Sequence, residues 1–195
     1  GEWRVIWSLR AHQQQLLPGG GPESLGKDFY VSSWLPQAEL LLHEKVKAFI
    51  SHCGWGATCE AITSCKPVIA FPLFADQNVN AFLMELFAMS KTVGWDRLNL
   101  MDPQGTSKRF MQVMSLWSTD PLTKRLRDRF TAKALNEDVR TVLNDETYAQ
   151  GAQMINFFVK RQKGGLGRFA DIIERYARDQ PLEDPPKAPS AKKKA

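Results

Sequence analysis

The turn from His52 to Thr58 is the strongest candidate for chemistry in this sequence, and the chemistry it suits is anion binding. It follows an apolar run at 46–51 and consists mainly of small residues, Cys-Gly-Trp-Gly-Ala. Small residues let a phosphate approach the backbone, where the N–H groups at the start of a helix point outward. His52 and Thr58 can add side-chain hydrogen bonds. The ordinary alternatives are a histidine in the core and a threonine that only begins the helix.

Polar and aromatic groups on either side of this turn suit other parts of a ligand. Trp34 offers a flat face for stacking a base, and Gln37 an amide that can bond a pyrimidine edge. Glu60 has two oxygens that suit a ribose cis-diol, and Asp76 with Gln77 suits sugar hydroxyls. Each has a structural alternative: a buried tryptophan, an exposed helical glutamate and a helix N-cap. Together, their order along the chain matches the parts of a nucleotide-sugar.

These groups are predicted to lie at strand ends in an α/β fold. Apolar runs at 3–9, 29–33, 46–51, 67–71 and 91–95 predict strands, and segments near 38–43, 57–65 and 77–89 predict helices between them. Such alternation predicts a Rossmann-like parallel sheet with flanking helices. Beyond residue 105 the apolar period becomes helical, and the Pro-, Ala- and Lys-rich end cannot pack a core.

Composition argues against several functional classes. The chain has 195 residues, a formal net charge of +5 and 43% hydrophobic residues, as in an ordinary globular domain. Ten basic residues against five acidic ones lie between 151 and 195, so the basic excess is in the tail and nucleic-acid binding is not favoured. The longest uncharged apolar stretch, 68–75, is far shorter than the roughly 20 residues of a membrane span, which predicts no transmembrane segment.

The cysteines and the start of the chain predict a cellular location. Three cysteines recur at six-residue intervals, a spacing that fits neither a redox pair nor a zinc site. Their odd number, with no apolar signal region at the start, predicts free thiols in a reducing compartment. We therefore expect a cytoplasmic protein, with peripheral association to a membrane left open.

The segment from Trp34 to Gln77 resembles the nucleotide-sugar-binding signature of family 1 glycosyltransferases, the UDP-glycosyltransferases. That signature likewise runs 44 residues, from a Trp-x-Pro-Gln motif to an Asp/Glu-Gln pair. The matching positions are Trp34, Pro36, Gln37, Leu41, His43, Phe49, His52, Gly54, Trp55, Glu60, Pro67, Pro72, Asp76 and Gln77. Looser matches on either side extend the resemblance over roughly residues 1–178.

The resemblance implies the fold and the role of each site residue. The chain would be the C-terminal, donor-binding half of a GT-B fold over 1–178, followed by a disordered basic tail at 179–195. Uracil would stack on Trp34, and Gln37 would bond the uracil edge or the ribose. The diphosphate would bind His52 and the backbone at 55–58. The ribose hydroxyls would bind Glu60, and the transferred sugar would bind Asp76 and Gln77. His43 is interpreted as structural. The implied UDP-sugar site comprises Trp34, Gln37, His52, Gly54, Trp55, Gly56, Ala57, Thr58, Glu60, Asp76 and Gln77.

The resemblance also implies a reaction: inverting transfer of a hexose from a UDP-sugar to a hydroxyl-bearing small-molecule or lipid acceptor, with no metal or other cofactor. The catalytic His and its Asp partner in this family lie in an N-terminal acceptor domain that does not match this chain. We therefore expect no catalytic residue here, little activity from the chain alone, and an acceptor-binding domain or subunit as partner. The alternatives are a non-catalytic UDP-sugar-binding module and the donor subunit of a two-chain transferase.

Three positions depart from the family pattern. Plant members usually carry Asn and Ser where this chain has Gly56 and Ala57, so phosphate binding would depend on backbone N–H groups and Thr58. Cys65 replaces a glycine that is common before the Pro-containing strand, which puts the usual left-handed end of the helix near 57–65 in doubt.

Overall fold

The computed structural model describes residues 3–96, 102, 104–108 and 130–161. The chain divides into two compact units, Gly1–Asn156 and Phe157–Ala195. In the second unit the described residues, 157–161, end the last helix, where the Arg161 guanidinium lies 4.8 Å from the centre of the Phe157 ring. The predicted tail at 179–195 lies outside the described residues.

The element order confirms the α/β fold class. The strands are β1 (Val5–Ser8), β2 (Phe29–Ser32), β3 (Phe49–Ser51), β4 (Val68–Ala70) and β5 (Ser90–Thr92). The helices are α1 (Ala11–Gln14), α2 (Gln37–Leu42), α3 (Trp55–Thr63), α4 (Gln77–Leu86), α5 (Ala132–Asn144) and α6 (Glu146–Arg161), with 3-10 turns at Pro18–Gly20 and Pro22–Leu25. A short helical stretch also lies at 104–108. Each strand predicted from the sequence is present, in a shorter form.

The strands form two parallel sheets rather than the single sheet that the alternation predicts. β1 pairs with β2, and β4 lies between β3 and β5. Within the described part of the chain no ladder joins the two sheets, so β3 keeps one unpaired edge. Ile6 of β1 and Ile50 of β3 accordingly remain 49% and 47% exposed.

The central strand β4 is buried on both faces, as expected for a parallel strand covered by helices. On one face Val68 packs in a cluster with residues of α3 and α4, including Ala61 and Met84. On the other face Ile69 packs with Val142 of α5. The strand ends that carry the candidate site therefore rest on a packed core.

The C-terminus of α3 keeps the left-handed end that the substitution of glycine by Cys65 put in doubt. Cys65 has φ 56°, and its N–H donates to Ile62 O. The N–H of Lys66 donates to Ala61 O at 3.0 Å, which completes a Schellman motif. The motif thus forms with a residue that has a Cβ, at a conformational cost of roughly 1–2 kcal/mol.

A buried ion pair holds α5 against β5. Lys91 Nζ lies 2.9 Å from Asp138 Oδ1, with both side chains about nine-tenths buried. Asp138 Oδ2 also accepts a hydrogen bond from the Gly94 N–H at 2.9 Å, and Lys91 Nζ donates to the Trp95 carbonyl. Because each charge has further hydrogen-bond partners, the desolvation cost of burying the pair is offset.

The chemistry of the cysteines and the hydropathy of the helices complete the description. Cys53, Cys59 and Cys65 are all free thiols, as predicted. No helix within the described ranges is long and apolar enough to cross a bilayer.

Candidate functional site

The candidate site lies where the carboxyl ends of β2, β3 and β4 lead into α2, α3 and α4. In parallel α/β folds these ends are the usual place for ligands, because they carry loops and helix N-termini. Two side-chain hydrogen bonds connect the three loops: Gln37 to Glu60, and Asn80 to the Cys53 carbonyl. The structure therefore links all three segments that the sequence selected.

The turn between β3 and α3 is built around a strained, fully buried cysteine. Cys53 has φ 64°, a left-handed conformation that is uncommon for a residue with a Cβ. Its N–H donates to Ser51 Oγ at 3.0 Å, which stabilises the reversal of the chain. Burial raises the pKa of the Cys53 thiol to about 12, so this group remains a neutral thiol and acts structurally.

The N-terminus of α3 presents uncapped backbone donors. The first N–H groups of a helix have no intrahelical partner. Gly54, the N-cap of α3, has no side chain that could accept from them. Trp55 and Gly56 are exposed there. The positive end of the helix dipole adds to the attraction for an anion. This arrangement suits an anion, and the phosphate site itself stays a prediction.

His52 lies at this helix end with its side chain exposed, which excludes the alternative of a core histidine. Its ring covers Gly54 so closely that a Cβ added at Gly54 would lie 2.5 Å from His52 Nε2. A glycine at position 54 is therefore required for the observed position of the imidazole. An added Cβ at Gly56 would meet nothing within 4 Å, so that position borders open space.

Thr58 and Ala57 contribute less than the sequence predicts. Thr58 is 4% exposed, its hydroxyl donates to Cys53 O at 3.4 Å and its N–H donates to Gly54 O at 2.9 Å. Both of its donors are thus engaged within the turn in this conformation, and the expected hydroxyl contact to phosphate stays a prediction. Ala57 is also buried, and the groups left for an anion are the N–H donors of the first turn and the imidazole of His52.

Gln37 and Glu60 form a direct hydrogen bond. Gln37 Nε2 donates to Glu60 Oε2 at 2.6 Å, across 23 residues of sequence. The bond is charge-assisted, joins α2 to α3 and fixes one carboxylate oxygen. No described side chain donates to Oε1, so this oxygen can accept a hydrogen bond from a ligand.

Trp34 stands at the carboxyl end of β2 with 73% of its surface exposed. A hydrogen bond from Ser32 Oγ to the Trp34 carbonyl, 2.8 Å long, holds the backbone at this point. The alternative of a buried tryptophan is therefore excluded. The indole presents a large apolar face to solvent, which suits stacking on a planar ring.

Asp76 and Gln77 are positioned less freely than the sequence suggests. Asp76 occupies the N-cap position of α4, but its side chain caps no backbone N–H and accepts instead from Asn80 Nδ2 at 2.9 Å. Gln77 is 5% exposed, and its Oε1 accepts from the N–H groups of Leu73 and Phe74 at 2.9 and 3.2 Å. The amide oxygen of Gln77 is therefore committed to the loop. Its Nε2 is the group left to meet a ligand.

Asn80 is the residue of this site that sequence reasoning missed. It is buried, at 7% exposure, and its Nδ2 donates to both Cys53 O and Asp76 Oδ2, each at 2.9 Å. The only signal in the sequence is an asparagine one helical turn after Asp76. That spacing permits a contact but does not reveal the second bond to a distant turn.

The groups of the site suit anion and hydroxyl binding. Within the part of the chain that the structure describes, no group of three or more His, Cys, Asp or Glu side chains has the geometry of a metal site. The side chains of the site supply two exposed tryptophans, one imidazole, two carboxylates and three amides, of which those of Gln77 and Asn80 are buried.

Comparison with known proteins identifies the relatives of this chain. The family model for "UDP-glucoronosyl and UDP-glucosyl transferase" matches residues 3–112. UDP-glycosyltransferase 71D2 of Arabidopsis thaliana is 37% identical over 86 residues, or 43% of this chain and 18% of that protein. UDP-glycosyltransferase 72E2 of the same plant is 35% identical over 114 residues, or 58% of this chain and 21% of that protein. The chain thus matches about a fifth of the length of these curated relatives.

A solved structure shows the same fold. The crystal structure of Os79 from O. sativa in complex with UDP superimposes with a TM-score of 0.63 at 24% sequence identity. The match covers 90% of this chain and 35% of that protein. This similarity confirms the α/β, GT-B type of fold expected from the sequence.

Proposed function

The chain belongs to the UDP-glucuronosyl and UDP-glucosyl transferase family, and from this membership we propose that it binds a UDP-sugar at the ends of β2, β3 and β4. The observation that carries the proposal is the juxtaposition of the Gln37–Glu60 pair with the uncapped N-terminus of α3. A diol-binding carboxylate beside an anion-binding helix end is what a nucleoside diphosphate requires. Neither feature alone would favour this ligand.

In the proposed complex each part of the donor meets a group suited to it. Uracil stacks on Trp34, and the ribose hydroxyls donate to Glu60. The diphosphate accepts from His52 and from the first N–H groups of α3, which supply positive potential without a lysine or arginine. The hexose hydroxyls meet the Asp76 carboxylate and the Gln77 amide. No metal or other cofactor is part of the proposal.

The proposed reaction is inverting transfer of the hexose to a hydroxyl-bearing acceptor, and it requires a general base from an acceptor-binding domain or subunit. The three histidines of the chain are poor candidates for that base. His43 Nδ1 accepts from the Lys45 N–H at the end of α2, His12 is exposed on α1, and His52 is assigned to the diphosphate. This observation also favours the second candidate, a donor-binding module or donor subunit without catalysis of its own.

Donor binding is tested by titrating the 195-residue chain with UDP and UDP-glucose by calorimetry. His52→Ala removes a hydrogen bond to a charged phosphate and should weaken UDP binding by about tenfold to a hundredfold. His12→Ala is the matched control, because it removes an exposed histidine from another surface. A well-folded wild-type chain with no saturable UDP binding would refute the proposed site, and equal losses in the two variants would remove His52 from it.

Product analysis tests the proposal that donor binding and general-base catalysis lie in different domains or subunits. The chain alone, incubated with UDP-glucose and a phenolic acceptor, should form no glucoside above background, whereas it should do so when an acceptor-binding domain of the family is supplied. Transfer by the chain alone would show that it contains its own general base.

A further inference from the structure

Asn80 connects two parts of the candidate site through a single buried amide. One Nδ2 proton is directed to the Cys53 carbonyl and the other to Asp76 Oδ2, both at 2.9 Å. The Cys53 carbonyl immediately precedes Gly54, the N-cap of the anion-binding helix. Asp76 begins the next helix, where the sugar hydroxyls are proposed to bind. A planar amide with two donors at a fixed angle therefore fixes the distance between these two parts.

We propose that Asn80 is a positioning residue that holds the Asp76 carboxylate toward the hexose and so determines how much the sugar adds to donor affinity. This inference rests on the proposed function. Asn80 itself is buried at 7% exposure and acts through Asp76 rather than by touching the ligand.

Asn80 is the group that fixes the orientation of the Asp76 carboxylate. An Asp at the N-cap that accepts from the second or third helical N–H has an extended backbone, whereas Asp76 has helical φ −63° and ψ −16° and makes no such bond. Its carboxylate is held through Oδ2 by the Asn80 amide instead. Without that donor, the carboxylate is expected to adopt several orientations, which weakens its contact with the ligand while leaving the helix intact.

The Asn80 amide also stabilises the strained turn at Cys53. Cys53 is held at φ 64°, and its carbonyl accepts from both Asn80 Nδ2 and Thr58 Oγ1. The bond from Thr58 is the longer, at 3.4 Å, so the asparagine supplies the better contact. Loss of Asn80 should thus affect the turn modestly and the orientation of Asp76 more strongly.

The chain contains a matched control for this role. Asn156 has the same 7% exposure, and its Nδ2 also donates twice, to Ile62 O at 2.9 Å and to Thr63 O at 3.1 Å. It binds the opposite end of α3 from the site. Asn80→Leu and Asn156→Leu each remove two donors without adding a charge and with little change in side-chain shape, and Asn80→Ser serves as a milder variant that keeps one donor.

The experiment measures Kd for UDP and for UDP-glucose, and takes their ratio as the contribution of the sugar. Asn80→Leu should reduce that ratio by about fivefold to tenfold, as expected for one lost hydrogen bond to a charged group, and Asn80→Ser by less. Asn156→Leu should lower the melting temperature about as much as Asn80→Leu does, but should leave the ratio unchanged. In an Asp76→Ala background, Asn80→Ser should have no further effect on the ratio.

Three outcomes would overturn the inference. A purely structural asparagine would change both Kd values in proportion and leave the ratio at its wild-type value. An effect of Asn80→Ser that persists in the Asp76→Ala background would show that the asparagine does not act through Asp76. Equal Kd values for UDP and UDP-glucose in the wild type would show that the sugar adds nothing to affinity, so that Asp76 has no sugar contact for Asn80 to position. Absence of UDP binding in the wild type would instead refute the proposed function, so the two failures are distinguishable.

Discussion

Replacement of Glu60 by alanine tests the proposed ribose contact at its most specific point. Glu60 is partly buried on α3, and one of its carboxylate oxygens is held by Gln37 Nε2 at 2.6 Å. Alanine keeps the helix, because it is the best helix former, and removes both oxygens. The resulting change in affinity should therefore come from lost hydrogen bonds rather than from unfolding: those to the ligand, and the one from Gln37, whose loss affects every ligand alike.

The magnitude follows from the hydrogen bonds that a carboxylate makes with a diol. A hydrogen bond to a charged group contributes about 1.5–3 kcal/mol, and 1.4 kcal/mol corresponds to a tenfold change in Kd. Loss of two such bonds, partly compensated by water at this open site, should weaken UDP binding by about thirtyfold to a hundredfold. The 2′-deoxy analogue of UDP makes one of the two bonds, so Glu60→Ala should weaken its binding by only about tenfold or less.

Calorimetric titration of both ligands against wild type and Glu60→Ala gives four Kd values that form a double-mutant cycle. The expected coupling is about fivefold to tenfold between the carboxylate and the 2′-hydroxyl. Glu39→Ala, on the exposed first turn of α2, is the control and should leave all values unchanged. If Glu60→Ala weakens both ligands by the same factor, the carboxylate does not bind the ribose 2′-hydroxyl and the assignment is wrong.

Four further predictions concern stability and reactivity. Cys65→Gly should raise the free energy of unfolding in urea by about 1 kcal/mol, because it relieves the left-handed strain, whereas Cys65→Ala should not; a destabilising Cys65→Gly would contradict the Schellman assignment. Asp138→Ala should lower that free energy by about 3–5 kcal/mol, because the Lys91 ammonium stays buried without its partner, and a loss below 1 kcal/mol would show that the pair is solvated. At pH 8, iodoacetamide should alkylate Cys59 in the native chain but Cys53 only in urea. Native-state alkylation of Cys53 would refute its burial. Because burial raises the pKa of Cys53 from 9.0 to about 12, the unfolded chain loses the thiol proton at a lower pH than the folded chain. The stability that the neutral thiol contributes should therefore be complete below pH 9, and the free energy of unfolding should fall as the pH rises toward 12.

The sequence predicts the strands well, because strands depend on local patterns. The run Val-Ile-Ala at β4 is apolar at each position, and the structure buries all three residues. The small residues after β3 leave few alternatives to a close backbone approach at Gly54. Periodicity and residue size are properties that a single sequence displays directly.

The directions of the polar side chains could not be predicted in the same way. The hydroxyl of Thr58 turns back to the Cys53 carbonyl, and the amide oxygen of Gln77 closes its own loop. Both choices depend on which unpaired backbone groups the fold leaves nearby, since a buried N–H or carbonyl must find a partner. Asn80 was missed for the same reason, because its second acceptor lies 27 residues away.

The division of the strands between two sheets has an entropic consequence for binding. Trp34 follows the β1–β2 sheet, while His52 and Asp76 follow the sheet that contains β3 and β4. A nucleotide-sugar that touches all three would act as a non-covalent cross-link between elements that share no backbone ladder in the described chain. Ordering the two sheets would then be part of the free energy of binding, and whichever end of the donor bound first would lower the entropic cost for the other. Amide hydrogen exchange in β1 and β2 should accordingly slow when UDP binds, although the proposed ligand contacts do not include those strands.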